Sequence, residues 1–312
     1  MYYPYLRGKQ FELIALREFA EANHDVECIV PIIEPVRTID EDSSSRGPLH
    51  KTVSTLNACG VGCAVVLNPC LGDFERPYSE TMILDNLSGT EYIPAFLMNG
   101  NAEAVRELIE NYSLNDCMLI FTSGVDSEDS DLMTLLASET VKYIVGLDNK
   151  SLKRTYRRAG KQVISLFSRF HKLATNSDYR AKVDESYSDD HSFYAEDGFD
   201  GFSDYCALPQ EFMKSGAQPK SIAIHLTYKK NAEEVWVHHF VSDSEMKGNL
   251  QGKFAEACEK VAAFFEGKEK TAAINALLEY YSESKYPGLG MLKKITIANH
   301  LELIYKLLSS AE

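Results

Sequence analysis

The sequence predicts an α/β protein, a (β/α)₈ TIM-like barrel with a modified last unit and extra C-terminal helices. Short apolar runs recur along the chain, and helical or loop-plus-helix segments separate most of them. The runs are largely apolar throughout, which is typical of parallel strands covered on both faces. Eight such runs precede residue 229, and this number of βα units favours a closed barrel.

The elements follow one another in a regular order. Residues 2–9 are predicted to be extended, and residues 10–22 to form an amphipathic helix. The predicted barrel strands lie at residues 28–36, 61–68, 91–99, 117–124, 141–148, 161–167, 198–205 and 221–228. Helical segments precede several of these strands, at residues 49–58, 79–87, 102–112, 130–137 and 151–159.

The end of the chain departs from this alternation. Residues 233–243 follow a turn-like segment and are predicted to pair antiparallel with the eighth strand. Further helices are predicted at residues 253–267, 271–282 and 297–309. We therefore expect one barrel domain over residues 1–312, with its core in residues 1–245 and the helices of residues 246–312 packed on it.

The alternative fold is an open, doubly wound sheet. That fold normally carries a glycine-rich phosphate turn after its first strand. Here the first predicted strand runs into residues 34–47, EPVRTIDEDSSSRG, which contain no such turn. The closed barrel is therefore favoured.

Composition narrows the classes of function. The net charge is −14, with 46 acidic against 32 basic residues, which disfavours charge-driven binding to nucleic acid or to an anionic membrane. The seven cysteines are an odd number. The closest group, Cys59, Cys63 and Cys70, has a poor spacing for zinc and is predicted to be buried thiols. With no apolar leader or spanning run, a cytoplasmic protein is expected.

Polar side chains recur where the predicted strands end. Active sites of TIM barrels lie at the carboxyl-terminal ends of the strands, so these residues are candidates for a site. The alternative is that strand ends are polar simply because loops are. The candidates are Glu34, Asn68, Asn99, Ser123, Asp148, Arg169, Asp204, Tyr205, Tyr228 and Lys229.

Glu34 is the strongest single candidate. It directly follows a buried strand and precedes Pro35, which restricts the backbone there. A partly buried carboxylate has its ionisation disfavoured unless it is paired. This suits a general acid or base, or a metal ligand. A structural salt bridge to Arg7 or Lys9 explains the residue about equally well.

The segment from residue 167 to residue 205 is long, polar and rich in aromatic residues, and we expect it to build a site. Asp190 and His191, together with Asp204, are of the types that bind a divalent cation, although no known metal-binding motif is present. The predicted catalytic residues are Glu34, Asp148, Asp190, His191 and Asp204. The predicted substrate-binding residues are Asn68, Asn99, Arg169, Tyr205 and Lys229. No cofactor is identified, and a divalent metal is one option.

His238 and His239 are consecutive residues of a predicted strand. Their side chains are therefore expected to point to opposite faces. They are interpreted as satisfied core or rim histidines rather than as metal ligands.

Several separated motifs resemble a largely uncharacterised bacterial family related to the phage-type "beta protein". They are YPYLRGKQFELIALRE at residues 3–18, PIIEPV at 31–36, DYRAKVDESYSDDHSFY at 178–194, GFDGFSDY at 198–205 and VHHFVSDS at 237–244. The resemblance implies a bacterial or phage protein of the cytoplasm, in a phage-defence or mobile-element context, often with a small partner protein. It assigns no catalytic residue.

Three hypotheses for the function follow. The first is a barrel protein of a phage-defence or mobile-element system that acts with a protein partner or as a homo-oligomer, using apolar surface on the C-terminal helices. The alternative is a metal-dependent hydrolase that acts on a phosphate ester, a nucleotide or nucleic acid at the mouth of the barrel. Direct nucleic-acid binding is the third, and the net charge disfavours it.

Overall fold

Two compact units make up the part of the chain that the structure describes. The computed structural model describes residues 1–38, 46–79, 81–214, 219–245 and 248–310. The first unit consists of Met1–Phe167 and Ser192–Asp204, and the second of Ser168–His191 and Tyr205–Glu312. The expectation of one domain over residues 1–312 stays a prediction.

The first unit is a TIM-like barrel of eight parallel strands. Its strands, in sheet order, are β1 (Tyr5–Leu6), β2 (Ile32–Ile33), β3 (Ala64–Val66), β4 (Ile93–Leu97), β5 (Cys117–Ile120), β6 (Val141–Val145), β7 (Gln162–Leu166) and β9 (Gly201–Ser203). The first and last strands meet through backbone hydrogen bonds from Tyr3 N to Phe202 O and from Tyr5 N to Asp204 O, both 2.8 Å. These bonds bring the sheet round into a barrel.

Helices alternate with the strands, as predicted. They are α1 (Gln10–Ala22), α2 (Gly47–Ala58), α3 (Thr81–Asn86), α4 (Ala102–Asn111), α5 (Ser130–Ala137) and α6 (Lys150–Arg158). Side-chain oxygens of Asn101, Asp129 and Asn149 accept backbone N–H groups at the starts of α4, α5 and α6. These caps satisfy donors that would otherwise lack a partner and fix where each helix begins.

The barrel strands are buried on both faces. Every residue of β3 and β5 is buried, because one face of each strand lines the barrel and the other faces the helices. The rings of Tyr2 and Phe202 stack with their centroids 4.9 Å apart at the junction of the first and last strands. The continuous apolar runs of the sequence therefore correspond to the core of this unit.

The prediction of a TIM-like barrel is confirmed, but the predicted set of strands was wrong at both ends. The first barrel strand is β1, within the segment predicted only to be extended, and the strand from the 198–205 run is the last. The predicted eighth strand, residues 221–228, pairs antiparallel in the second unit instead. Its neighbour at residues 235–241 is its antiparallel partner, as predicted.

The second unit contains a three-stranded antiparallel sheet in the order β10-β11-β8. These strands are β8 (Asp184–Ser188), β10 (Ala223–Lys229) and β11 (Val235–Val241). The helices are α7 (Asp190–Phe193), whose last residues belong to the first unit, then α8 (Leu250–Phe264), α9 (Ala272–Ser282) and α10 (Leu289–Ser309), and a 3₁₀ turn covers Asn176–Ala181. Part of the long polar segment is therefore a strand.

The apolar faces of α8, α9 and α10 are used inside the second unit. Phe254, Leu277 and Ile295 are buried in one cluster with Ile224 and Phe240 of the sheet. The apolar residues that the sequence offered as a partner interface therefore form this unit's own core. No helix in the described residues is long and apolar enough to cross a membrane. Residues 39–45 of the segment after the first predicted strand lie outside the described residues.

Candidate functional site

The carboxyl-terminal ends of β2, β3 and β4 place three side chains at the same edge of the barrel. These strands are neighbours in the sheet, and Glu34, Cys70 and Asn99 each follow one of them. Arg7 follows β1, the next strand along. We call these four residues the mouth group, because parallel strands bring their carboxyl-terminal ends together.

Glu34 is a buried carboxyl group of the mouth group. It is 2% exposed, and its Oε2 accepts a hydrogen bond of 2.8 Å from the hydroxyl of Tyr5. Oε1 is buried and has no hydrogen-bond partner within the described residues. Burial raises the pKa of Glu34, and the Tyr5 hydroxyl and the charge of Arg7 only partly oppose this.

The predicted salt bridge of Glu34 to a neighbouring cation is present but loose. The Nε of Arg7 lies 3.8 Å from Oε2 of Glu34, beyond the range of a hydrogen bond. A tight ion pair would have lowered the pKa of the carboxyl group, whereas here it is raised. Both predicted alternatives, a salt bridge and a carboxyl group with a shifted pKa, are therefore met in part. Glu34 has a cationic neighbour in Arg7, and its pKa is still raised.

Cys70 is exposed, and the prediction that it is a buried thiol was wrong. All seven cysteines are described, and Cys70 is the exposed one among them. The Nδ2 of Asn99 donates to its Sγ at 3.6 Å. Partial desolvation and the negative charge of Glu34 raise the pKa of the thiol, while Asn99 and Arg7 lower it. The thiol and the carboxyl group therefore interact electrostatically.

The loop that carries Cys70 is fastened to the chain just after Glu34. The backbone N–H of Asp73 donates to Val36 O at 3.1 Å, and Oδ2 of Asp73 accepts the N–H of Thr38 at 3.1 Å. Gly72 has φ +68°, and a Cβ there would lie 2.2 Å from Val36 O, so only glycine allows this approach. The positions of Cys70 and Glu34 are thus set together.

Asn68 has a structural role at the end of β3. Its Nδ2 donates to Leu97 O at 2.9 Å, and its Oδ1 accepts the N–H of Leu97 at 2.8 Å. The amide thus continues the pairing of β3 with β4 beyond the strands and holds the start of the Cys70 loop. Its predicted role in binding substrate stays a prediction.

Asp148 and Asp204, two other predicted catalytic residues of the first unit, differ in exposure. Asp148 is exposed after β6. Asp204 is 2% exposed, and its Oδ1 accepts a hydrogen bond of 2.7 Å from the hydroxyl of Tyr2. This bond ties the first residues of the chain to the end of the last barrel strand. Asp204 therefore contributes to barrel closure, and its catalytic role stays a prediction.

The other predicted site residues belong to the second unit. The guanidinium of Arg169 binds both oxygens of Asp190, with N–O distances of 2.9 and 2.5 Å. The hydroxyl of Ser188 also donates to Asp190, at 2.7 Å. Burial lowers the pKa of His191, and nearby groups only partly offset this. Asp190 is thus an anchor of its own unit, with its oxygens already engaged.

Tyr205 and Lys229 also lie in the second unit. Tyr205 is 3% exposed, whereas Lys229 is exposed at the end of β10. Because β10 belongs to the antiparallel sheet, Tyr228 and Lys229 do not follow a barrel strand. The rule for barrel mouths, which selected them, therefore does not apply to them.

A polar network around the buried Glu185 and His239 in the second unit was not predicted from the sequence. Glu185 on β8 receives hydrogen-bond contacts from His239 at 3.0 Å and from His171 at 2.8 Å, and it pairs with Lys182. The Nδ1 atoms of His225 and His239 lie 2.7 Å apart. Burial and the neighbouring His239 lower the pKa of His225 to about 3.

The face assignment of the two consecutive histidines is confirmed. His238 contacts Asp184, at 3.3 Å, while His239 contacts Glu185. The cross-strand register places His239 opposite His225. Both partners on β8 are adjacent residues as well, so each face of the sheet carries its own carboxylate–histidine contact.

The described residues contain no group of three or more His, Cys, Asp or Glu side chains placed to hold a metal ion. Asp190 and Asp204 each already accept hydrogen bonds within their own unit. The predicted sharing of a divalent cation by Asp190, His191 and Asp204 therefore gains no support from the geometry.

A groove of about 850 Å³ lies between α4 and α5. Ser113 and Ser138, which line it, precede β5 and β6. The groove is therefore at the amino-terminal side of the barrel strands. Residues on that side of a TIM barrel contribute to stability rather than to catalysis. It carries none of the candidate residues.

No family model matches this chain, and neither does any curated protein. The resemblance to the phage-type beta protein family stays a prediction.

Proposed function

We propose that the chain is a hydrolase that uses Glu34 to transfer protons at the carboxyl-terminal end of its barrel. The observation that carries the proposal is the burial of this carboxyl group, which is 2% exposed. One of its oxygens has no hydrogen-bond partner within the described residues. Strained or unsatisfied polar groups are expected at functional sites rather than in ordinary cores.

The raised pKa of Glu34 suits this role. Proton transfer is most efficient when the pKa of the acid or base is near the working pH, and enzymes tune carboxyl groups upwards by burial. Burial is the largest cause of the shift at Glu34. The Tyr5 hydroxyl and the charge of Arg7 oppose the shift in the pKa of Glu34.

The other members of the mouth group supply contacts for a substrate. Asn99 is exposed and offers an amide that both donates and accepts hydrogen bonds. The guanidinium of Arg7 gives one cationic group. The substrate class predicted from the sequence, a phosphate ester, nucleotide or nucleic acid, is kept as the first class to assay, beside carboxylic esters.

The test is turnover of p-nitrophenyl phosphate, bis(p-nitrophenyl) phosphate and p-nitrophenyl acetate by the full chain. The assay is run with added Mg²⁺, Mn²⁺ or Zn²⁺ and after treatment with a chelator, because the predicted activity is metal-dependent. Glu34→Gln removes the proton-transferring group but keeps its size, so we expect a loss of about 10²- to 10⁴-fold for the substrate that is turned over.

Glu302→Gln is the matched control. Burial also raises the pKa of Glu302, but its oxygens accept the backbone N–H groups of Ala272 and Ala273, and it lies in the second unit. We expect normal turnover in this variant. Equal activity of the Glu34→Gln variant and the wild-type protein would overturn the proposal.

The biological context is proposed from the sequence resemblance alone. We place the protein in a phage-defence or mobile-element system, where it acts with a protein partner or as a homo-oligomer. Plating efficiency of phage on cells that express the wild-type protein or Glu34→Gln tests the context. Affinity purification from those cells tests the partner. Equal plating in both strains, with a monomer that retains no other protein, would count against this context.

A further inference from the structure

We propose that Cys70 is the nucleophile of this site and forms a covalent acyl intermediate, with Glu34 as the base that receives the thiol proton. The inference rests on the proposed function and adds a reaction class to it, acyl transfer from a carboxylic ester or amide. Sequence spacing alone had assigned Cys70 to the buried thiols.

Position is the first support. Cys70 lies at the end of β3, between the ends of β2 and β4 that carry Glu34 and Asn99. It is exposed, whereas the other six cysteines are buried or half-buried. A nucleophile must be reachable by its substrate, and a structural thiol is usually buried and inert.

Fixed geometry is the second support. The residue before Cys70 is held by a hydrogen bond of 3.0 Å from the hydroxyl of Tyr78 to Pro69 O. The residues after it are fastened to Val36 and Thr38 through Asp73. The thiol is therefore held on both sides of its own position in the chain. Positioned groups are what nucleophilic catalysis requires.

The unpartnered oxygen of Glu34 is the third support. Oε1 is buried without a hydrogen-bond partner among the described residues, so it has a lone pair available for a proton. The thiol of Cys70 lies within the electrostatic reach of this carboxylate. A thiol whose pKa is raised is mostly protonated at neutral pH, so it needs an adjacent base to attack.

The charges around the thiol favour an uncharged substrate. Among the described residues, Glu34 and Glu75 act on Cys70 as negative charges and Arg7 as a positive one. A phosphate ester would be repelled by two carboxylates and attracted by a single guanidinium. An ester or amide carries no such charge, and its carbonyl oxygen can accept from the amide of Asn99.

The steps balance with water as the only co-reactant. The Sγ proton moves to Glu34 as sulfur bonds to the acyl carbon. The alcohol or amine takes that proton from Glu34 as its bond to the acyl carbon breaks, and a thioester remains on Cys70. Water then gives a proton to Glu34 while its oxygen attacks the thioester. The carboxylic acid leaves, and the thiol regains the proton.

The test combines acyl transfer with thiol alkylation in the full chain. With p-nitrophenyl acetate, we expect peptide mass spectrometry to find an acetyl group on Cys70 early in the reaction. Cys70→Ala should show no acetyl label at position 70, and its turnover should fall by at least about 10²-fold. Cys28→Ser, which removes a half-buried thiol, should keep both the label on Cys70 and normal turnover.

Alkylation by iodoacetamide needs no turnover, and its rate reports the electrostatic interaction between the Cys70 thiol and Glu34 directly. Removing the Glu34 charge lowers the pKa of the thiol, so Glu34→Gln should speed alkylation of Cys70 near neutral pH while it slows acetyl transfer. Arg7→Gln should slow alkylation, because a cation that favours the thiolate is lost. A purely structural thiol would not show this opposite response.

The outcomes separate the two proposals. Unlabelled Cys70 with normal turnover of Cys70→Ala, while Glu34→Gln is inactive, overturns the covalent step and leaves the proposed function intact. Full turnover in Glu34→Gln overturns the proposed function and the base role together. Alkylation rates that do not change in Glu34→Gln or Arg7→Gln show that the thiol is not coupled to this site, and they overturn the inference.

Discussion

At the scale of single residues, Glu34 shows how a buried group sets the balance between stability and function. Because burial raises its pKa, the folded protein holds the proton of Glu34 more tightly than the unfolded chain does. The free energy of unfolding is therefore highest below the ordinary pKa of a carboxyl group, and it falls as the pH rises through the folded pKa. Ionisation of the buried Glu34 carboxyl group therefore costs stability.

Glu34→Gln should consequently stabilise the protein at pH 7.5 while it lowers activity. We expect a gain of about 0.5 to 2 kcal/mol, a usual size for stabilising substitutions at functional positions, and little gain at pH 4. Urea denaturation at the two pH values measures it. Glu12→Gln is the contrast, because Glu12 is also buried but accepts the backbone N–H of Arg7 at 2.7 Å. A lower stability of Glu34→Gln at pH 7.5 would contradict the expectation.

The site could be predicted from the sequence only in part, for reasons that are local. Glu34 was found because a carboxylate directly after an apolar strand is unusual. Cys70 was missed because a cysteine near two other cysteines gives no information about exposure. The available signal was its position just after Asn68 and Pro69, beyond a strand end. The backbone hydrogen bonds of Asn68 were not predicted, because an amide that bonds to a backbone looks the same in sequence as one that faces a substrate.

At the scale of secondary-structure elements, the seam between β1 and β9 depends on one glycine. A Cβ at Gly201 would lie 2.7 Å from a ring carbon of Tyr3 and 3.0 Å from Met1 O. Such contacts force side chains or backbone to move. Gly201 thus lets the first residues of the chain approach the last strand of the barrel.

Gly201→Ala should destabilise the protein by about 1 to 3 kcal/mol through this clash. Gly62→Ala is the matched control, because a Cβ there meets nothing within 4 Å, and surface changes of this kind stay within about 0.5 kcal/mol. Thermal unfolding of the two variants beside the wild-type protein measures the difference. Equal melting temperatures for both variants would show that the seam is not as tight as described.

The elements were predicted better than their grouping. Continuous apolar runs such as the fully buried β5 are typical of a parallel sheet and were assigned correctly. β10 was added to the barrel although Ile224 and Leu226 are fully buried and alternate with less buried Ala223 and His225. That alternation indicates an antiparallel sheet. β1 has only two residues, too few for any periodicity to be detected.

At the scale of the whole molecule, the two units respond differently to acid. In the second unit, burial lowers the pKa of His225 to about 3, well below its value in an unfolded chain. The unfolded state therefore binds more protons between about pH 3 and pH 6.5, so stability is full above this range and is lost as the pH falls through it. Burial would raise the pKa of Glu185, but Lys182, His239 and His171 lower it overall, which adds to the loss at more acidic pH.

Mild acid should therefore open the antiparallel sheet before the barrel strands. Hydrogen exchange at pH 7.5 and 5.5, corrected for intrinsic rates, should show protection in β8, β10 and β11 reduced by about tenfold or more. Protection in β4 and β5, which contain no histidine, should change little. His225→Gln should reduce the difference between the two pH values. A uniform loss over both sets of strands would contradict the prediction.

Closure of the barrel also determines when the protein can finish folding during its synthesis. The contact between Tyr2 and Asp204 spans 202 residues of chain, so a ribosome that adds about 5 to 20 residues per second needs roughly 10 to 40 s between the two. During that interval β1 waits for β9. The nascent chain therefore carries unpaired strand edges of the kind that aggregate or recruit chaperones. Slower expression at low temperature should favour recovery of the native chain.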